Sequence, residues 1–161
     1  MTAIEGENPT PVPYRALHKR AIALLAKREY SRGELQAKLA PFATQGDIDK
    51  LLTYLTASGL QSDERCARSD LLSHAGRLGL GRLRQRLRQR YLGEALIEHC
   101  ISSLFAESAI EEEWIRATSI WQRRFTQFPT NRKDWAKQAR FLQYRGFPDN
   151  IIRKVIPRVE V

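Results

Sequence analysis

The 161-residue chain has few of the residues that interrupt helices, with only nine glycines and seven prolines. Most prolines lie outside the stretches of periodic apolar residues, which favours helices over a turn-rich β-fold. Its two cysteines are too few for a disulfide framework and fit a reducing compartment. The start of the chain lacks the pattern of a signal peptide, and no apolar run is long enough to span a bilayer. We therefore expect a cytoplasmic protein that does not contact membranes.

The chain also lacks the residue patterns of common catalytic and metal sites. His18, His74 and His99 are far apart in sequence, and the neighbours His99 and Cys100 would point about 100° apart on a helix. No cysteine pair has zinc-binding spacing, and the Gly-Leu-Gly run at 79–81 lacks the rest of a phosphate-binding loop. No nucleophile–base set is evident. We predict no metal, no cofactor and no enzymatic activity.

Positive charge is what the chain has in excess. Lys and Arg number 27 against 18 Asp and Glu, which gives a formal net charge of +9. Such a surplus indicates an acidic partner, namely nucleic acid, an anionic membrane or an acidic protein surface.

Apolar periodicity and helix-capping residues predict about nine helices and no convincing strand. Residues that begin helices precede the apolar stretches at Ser31 with Glu34, at Asp47, and at Ser108 with Glu111. Tyr30 is expected to act as a hydrophobic staple beside the first of these caps, and Gly59 to end the third helix. Trp114 and Trp121 could stack on bases, but their helical spacing favours packing in a core.

An apolar frame recurs three times along the chain. Leucines 39, 87 and 142 act as anchors, 48 and 55 residues apart. Apolar residues follow each anchor at nine and thirteen positions: Ile48 and Leu52, Leu96 and Cys100, Ile151 and Val155. This spacing suits three-helix units, each too small to bury much alone, so neighbours should stack. We predict an all-α fold of three tandem three-helix repeats (15–60, 61–106 and 107–161) in an elongated, curved array, preceded by a flexible tail at 1–14.

An arginine-rich helix in the second repeat is the strongest candidate for binding. Its arginines alternate with other residues at positions 82, 84, 86, 88 and 90: Arg82, Arg84, Arg86, Arg88 and Arg90. On a helix, the first, third and fifth fall on one flank of a leucine stripe and the other two on the opposite flank. No acidic residue lies between Gly76 and Gly93, and guanidinium groups bind phosphate or carboxylate with two bonds. The alternative is a solvated face whose arginines pair with the acids of 107–113.

Further basic candidates flank this helix and occur in the outer repeats: Arg77; Arg28, Arg32 and Lys38; Lys137, Arg140 and Arg145. For Arg28, a cap on the carbonyls of the first helix is an equal alternative. Replacing Arg82, Arg86 and Arg90 together by alanine should weaken a partner contact while preserving helicity.

Three stretches carry a resemblance to the RecX family. The string from Ala21 to Leu39 resembles the family's first-repeat signature, Asp63-Glu64 with the apolar helix that follows resembles its next landmark, and Phe141 to Phe147 resembles its third-repeat signature. The middle repeat departs from the pattern. The family tends to have a proline, a glutamate and a helix-ending glycine where this chain has Leu80, Arg86 and Tyr91.

The resemblance implies a non-enzymatic regulator in DNA repair and SOS control. It implies binding in the groove of the RecA–DNA filament, with inhibition of the ATPase and strand exchange of RecA. Partners would be the RecA filament and single-stranded DNA, within the filament or weakly alone, and we expect the protein to be monomeric. The alternative is a basic helical module that acts on nucleic acid directly.

Overall fold

The computed structural model describes residues 11–105 and 109–159, and within these ranges every regular element is helical. The helices follow one another in chain order: α1 (Tyr14–Leu25), α2 (Arg32–Leu39), α3 (Gln45–Ala57), α4 (Asp63–His74), α5 (Leu80–Gln89), α6 (Glu94–Leu104), α7 (Ala109–Gln122), α8 (Arg132–Tyr144) and α9 (Asp149–Val155). One 3-10 turn, Ala40–Phe42, contains Pro41 and follows α2. The predicted all-α class is confirmed.

The chain divides into two compact units, with the boundary between Cys66 and Ala67. The first unit has its own core, formed by buried residues of α1, α2 and α3 and by Tyr30. Of the predicted tail, residues 1–10 lie outside the described part of the chain, and Val12 donates its amide to the carbonyl of Phe42 at 2.9 Å and packs against this core.

Two caps in the first unit show which local predictions were correct. Ser31 and Glu34 form the predicted capping box, with the Glu34 amide 3.0 Å from the serine Oγ and the Ser31 amide 2.9 Å from the glutamate Oε2. The predicted cap at Asp47 is wrong. Thr44 accepts the Asp47 amide at 3.3 Å and donates its hydroxyl to the Asp47 carboxylate, so α3 begins one turn earlier. Gly59 ends α3 as predicted, at φ 73°.

The second unit contains two further cores. One is formed by α5, α6 and the apolar residues of α4 from Ala67 onward, and the other by α7, α8 and α9. The repeat anchors Leu39, Leu87 and Leu142 are fully buried, each in a different one of the three cores. The recurring frame of the sequence is therefore a recurring packing arrangement.

Aromatic residues of α7 fill the third core as predicted. Trp121 is buried and donates its indole N–H to Gln138 at 2.8 Å, and Trp114 is partly buried against the same core. Both tryptophans thus stabilise packing, which confirms the core assignment. Ser108, the predicted first residue of a second capping box, lies outside the described residues.

A close backbone contact joins α5 to the turn between α8 and α9. Gly79 donates its amide to the carbonyl of Arg145 at 2.8 Å, and a Cβ added at Gly79 would lie 2.6 Å from the carbonyl oxygen of Gly146. Gly146 has φ 90°, and a Cβ there would lie 2.4 Å from the backbone nitrogen of Arg82. The contact requires glycine on both sides because no side chain fits between the two backbones.

A buried carboxylate reinforces this contact. Glu113 of α7 is only 6% exposed and accepts the Leu80 amide, at the first turn of α5, at 2.8 Å. It thereby satisfies one of the free N–H groups at the start of α5, where negative charge is favourable. The beginning of α5 is therefore held by α7 through this carboxylate and by the turn after α8 through the glycine contact.

Candidate functional site

The arginines of α5 lie on two flanks of the helix, as the sequence predicts. Arg86 and Arg90 extend toward Asp70 of α4, whereas Arg84 and Arg88 extend toward glutamates of α6. Leu83 and Leu87 lie between the two flanks and are fully buried in the core. The leucine stripe therefore anchors the helix and sets the direction of each arginine.

One flank is organised around the buried carboxylate of Asp70. Arg86 donates two hydrogen bonds to it, with nitrogen–oxygen distances of 2.9 and 3.1 Å, and Arg90 lies 3.4 Å away. His74 also approaches, with Nδ1 3.7 Å from the second carboxylate oxygen. The Asp70 side chain is 6% exposed, so this acid needs its arginine partners to compensate for lost hydration.

The opposite flank consists of two exposed ion pairs. Arg84 binds Glu98 through two hydrogen bonds of 2.6 and 3.0 Å, and Arg88 binds Glu94 in the same two-bond manner. Hydrogen bonds from these arginines lower the pKa of both glutamate carboxyl groups below the ordinary value, and the same bonds raise the pKa of both guanidinium groups.

Acids from outside the arginine run neutralise most of it. No acid lies within the run, but the structure supplies Asp70, Glu94 and Glu98 from the helices on either side. The acids of 107–113 proposed as the alternative partners are also not those that bind Arg84, Arg86 and Arg88. Folding brings together charges that are far apart in sequence, and alternation along one helix does not reveal them.

Two of the candidate arginines near the start of α5 are not neutralised by an acid of the described residues. Arg82 donates to the neutral amide oxygen of Gln85 at 2.7 Å, and Arg77 is exposed and donates to the carbonyl of Ser73. Neither forms an ion pair with any residue in the described ranges. The free positive charge of this region is therefore near the start of α5.

The first unit contains three candidates in different settings. Arg28 binds Glu34 at 3.1 Å and lies over the ring of Tyr30, so its contacts are with the α2 cap and not with the carbonyls of α1. Lys38 is exposed, and Arg32 is half-buried. Lys38 and Arg32 have no ion-pair partner among the described residues.

Several cations near the end of the chain have no acidic partner among the described residues. Residues 123–158 contain ten lysines and arginines against two aspartates, a formal charge of +8. None of these ten cations forms an ion pair with a residue that the structure describes. The segment 123–158 therefore carries a local surplus of positive charge.

A stripe on α8 collects part of this charge. Four exposed residues at helical spacings i, i+4, i+7 and i+11 share one face, and together we call them the α8 stripe: Lys133, Lys137, Arg140 and Tyr144. The binding candidates predicted from the sequence include Lys137 and Arg140. Lys133 belongs to the wider basic set of the C-terminal half and is not among those candidates, and Tyr144 has no predicted role, although its spacing could have revealed it. Arg145 leaves this face, since its guanidinium lies 4.4 Å from the ring centroid of Phe141.

Other kinds of site find no support in the described residues. No group of three or more His, Cys, Asp or Glu side chains in residues 11–105 and 109–159 is close enough together to hold a metal ion. Over the same residues, no helix has the length and apolar character needed to cross a membrane.

Comparison with known proteins agrees with this architecture. The sequence pattern of the third three-helix domain of RecX matches residues 111–156. A regulatory protein RecX of Chromobacterium violaceum is 36% identical over 143 residues, which cover 88% of this chain and 90% of the relative. The chain belongs to the RecX family. A regulatory protein RecX of Herbaspirillum seropedicae is 39% identical over 145 residues, 89% of this chain and 91% of the relative. A crystal structure of RecX from Lactobacillus salivarius shares the fold, with a TM-score of 0.74 over 91% of this chain and 96% of that one at 16% identity.

Three residues at which this RecX-family chain departs from the family pattern have defined places in the structure. Leu80 is the buried first residue of α5, and Arg86 is the main partner of Asp70. Tyr91 adopts φ 59°, the left-handed conformation that glycine adopts most readily. The backbone geometry of a helix-ending glycine is retained although the residue has changed.

Proposed function

We propose that this RecX-family protein binds the RecA recombinase filament and inhibits its ATPase and strand-exchange activities without catalysis of its own. Family membership over most of the chain carries the proposal, because the relatives at 36% and 39% identity are regulatory proteins by name. A filament of protein and DNA presents the acidic partner that the net charge of +9 calls for.

The charge distribution indicates which candidates would bind such a partner. An arginine already held by two hydrogen bonds to a carboxylate must break that pair before it binds another anion. Unpaired cations incur no such loss. We therefore assign the filament contact to the candidates without an acidic partner among the described residues: Arg32, Lys38, Arg77, Arg82, Lys137, Arg140 and Arg145.

Hydrolysis of ATP by RecA on single-stranded DNA tests the proposal. The wild-type chain should inhibit hydrolysis at a ratio near one to one with RecA, and failure to inhibit at that ratio would overturn it. The double variant Arg77→Ala/Arg82→Ala should inhibit less. Arg84→Ala/Glu98→Ala is the matched control, because it removes a cation together with its own anion and leaves the net charge unchanged.

The second candidate function is a DNA-binding module that does not need RecA, which the +8 segment favours equally well. Such a module would bind naked and RecA-coated single strands alike, with an affinity that falls steeply with salt as counterions are released. A filament regulator should prefer the coated strand at the same ionic strength. Equal affinity for both would favour the module.

A further inference from the structure

Tyr144 is the most exposed large hydrophobic side chain in the described part of the protein, at 80%. It is the last residue of α8, and the positive residues of the α8 stripe precede it by four, seven and eleven positions. At a rise of about 1.5 Å per residue, the stripe is roughly 16 Å long. It combines a row of cations with an accessible aromatic ring.

The packing of α5 against α8 determines the surroundings of that ring. The Arg82 guanidinium lies 5.7 Å from the ring centroid of Tyr144, and the close contact of Gly79 with Gly146 holds the two helices in place. A ring that is 80% exposed still has a face open to solvent. Arg82 thus supports the tyrosine from the neighbouring helix without covering it.

A row of cations that ends at an exposed aromatic ring suits one class of ligand particularly well. Single-stranded nucleic acid offers phosphates at regular intervals and unpaired bases whose faces stack on aromatic side chains. Duplex DNA keeps its bases stacked inside, and an acidic peptide offers carboxylates without regular aromatic faces. The pairing of charge with an open ring therefore favours a single strand.

We propose that the α8 stripe is a binding subsite for single-stranded nucleic acid, in which Tyr144 stacks on a base and the three cations bind phosphates. The inference deepens the proposed function, because it names a direct contact with the strand that a RecA filament encloses. It is tested without RecA, so its failure can be told apart from failure of the proposed function.

The test measures fluorescence anisotropy of a labelled oligothymidylate and of an abasic strand of the same length. Tyr144→Ala should weaken binding to oligothymidylate by about 5-fold or more, the value of one stacked base. On the abasic strand it should have no effect, since the ring would have nothing to stack on. Tyr144→Phe should retain binding because the ring remains. Tyr54→Ala removes another exposed tyrosine, on α3, and should bind like wild type.

Salt dependence separates the role of the ring from that of the cations. The triple variant Lys133→Ala/Lys137→Ala/Arg140→Ala should reduce the slope of log affinity against log salt by about 2, at roughly 0.7 per phosphate contact on a single strand. Tyr144→Ala should leave the slope unchanged. Circular dichroism verifies that each variant stays folded, as expected for exposed positions.

Three results would overturn the inference. The first is wild-type affinity of Tyr144→Ala for oligothymidylate, and the second is an equal loss on both strands. The third is absence of wild-type binding to either strand at low salt. Should Tyr144→Ala impair inhibition of RecA but not binding to naked DNA, the stripe would belong to a protein contact. Intact inhibition with no base-dependent effect would reject the subsite and leave the proposed function standing.

Discussion

The Arg86→Ala variant tests whether this arginine of α5 stabilises the folded protein or is free to bind a partner. The change removes the two shortest hydrogen bonds to the carboxylate of Asp70, at 2.9 and 3.1 Å. Arg90 remains at 3.4 Å, and His74 approaches the other oxygen at 3.7 Å. The Asp70 carboxylate would remain buried but would lose the two hydrogen bonds that do most to compensate for its lost hydration.

The magnitude follows from the burial of the two partners. Removing one member of a buried ion pair costs about 3–5 kcal/mol, because the other charge stays buried. Asp70 is 6% exposed, but Arg86 is 34% exposed and Arg90 still provides a cation, so the loss should be smaller. We expect the free energy of unfolding to fall by about 2–3 kcal/mol. For a chain of this size, the melting temperature should fall by about 4–12 °C.

Urea denaturation of the full chain, followed by circular dichroism, measures the effect. Arg84→Ala is the matched control: the same substitution on the same helix, but from an ion pair whose glutamate is 48% exposed. It should cost about 1 kcal/mol or less. Asp70→Asn placed in the Arg86→Ala background should restore part of the loss, because an amide has no charge to compensate. Equal losses for Arg86→Ala and Arg84→Ala, or no restoration by Asp70→Asn, would refute the reasoning.

Three other predictions concern backbone strain and acid stability. Gly146→Ala should lower the free energy of unfolding by about 3 kcal/mol or more in thermal denaturation, because φ is 90° and the new Cβ would lie 2.4 Å from a backbone nitrogen of α5. Gly76→Ala is the control, because no atom lies within 4 Å of a Cβ added there. It should change the free energy of unfolding by about 0.5 kcal/mol at most. Tyr91→Gly should raise the free energy of unfolding by about 0.5–1 kcal/mol, because glycine adopts the left-handed conformation of residue 91 without strain. This gain should exceed the loss from the greater conformational freedom of glycine in the unfolded chain. A lower denaturation midpoint for the variant would contradict the prediction. Folding lowers the carboxyl pKa values of Glu94 and Glu98 through their hydrogen bonds with Arg88 and Arg84. The stability that these two ion pairs contribute is therefore fully present above the unfolded glutamate pKa of about 4.3, and it is lost as the pH falls through the folded pKa values. Glu94→Gln/Glu98→Gln should therefore be less stable than wild type at neutral pH and equal to it at strongly acidic pH, in urea titrations across the range.

Three arginines of the α5 region differ in how they contribute to the fold. The sequence predicts that alanine at Arg82, Arg86 and Arg90 together weakens a partner contact while preserving helicity. Arg86 and Arg90 hold a buried carboxylate, so the variant should also destabilise the second repeat. Substitution of Arg82 alone tests the partner contact without removing an ion pair, since its guanidinium donates to the neutral amide of Gln85.

Properties that arise from neighbours along the chain could be predicted from the sequence. The all-helical class, the box at Ser31 and Glu34, and the burial of Leu39, Leu87 and Leu142 depend on local capping and on helical periodicity, which a single segment contains. The two flanks of α5 follow from the same periodicity. The resemblance to the RecX family rested on short sequence motifs within single segments, and the comparisons confirmed it.

Properties that depend on which segments meet were decided only by the tertiary structure. Asp70 lies sixteen residues before Arg86, and Glu113 lies thirty-three residues after the amide that it accepts. No period in the sequence relates them, because helix packing places side chains in contact regardless of their separation along the chain. Folding thus neutralises most of the arginine helix with acids from other helices, whereas cations of α8, of the start of α5 and of the first unit have no acidic partner among the described residues.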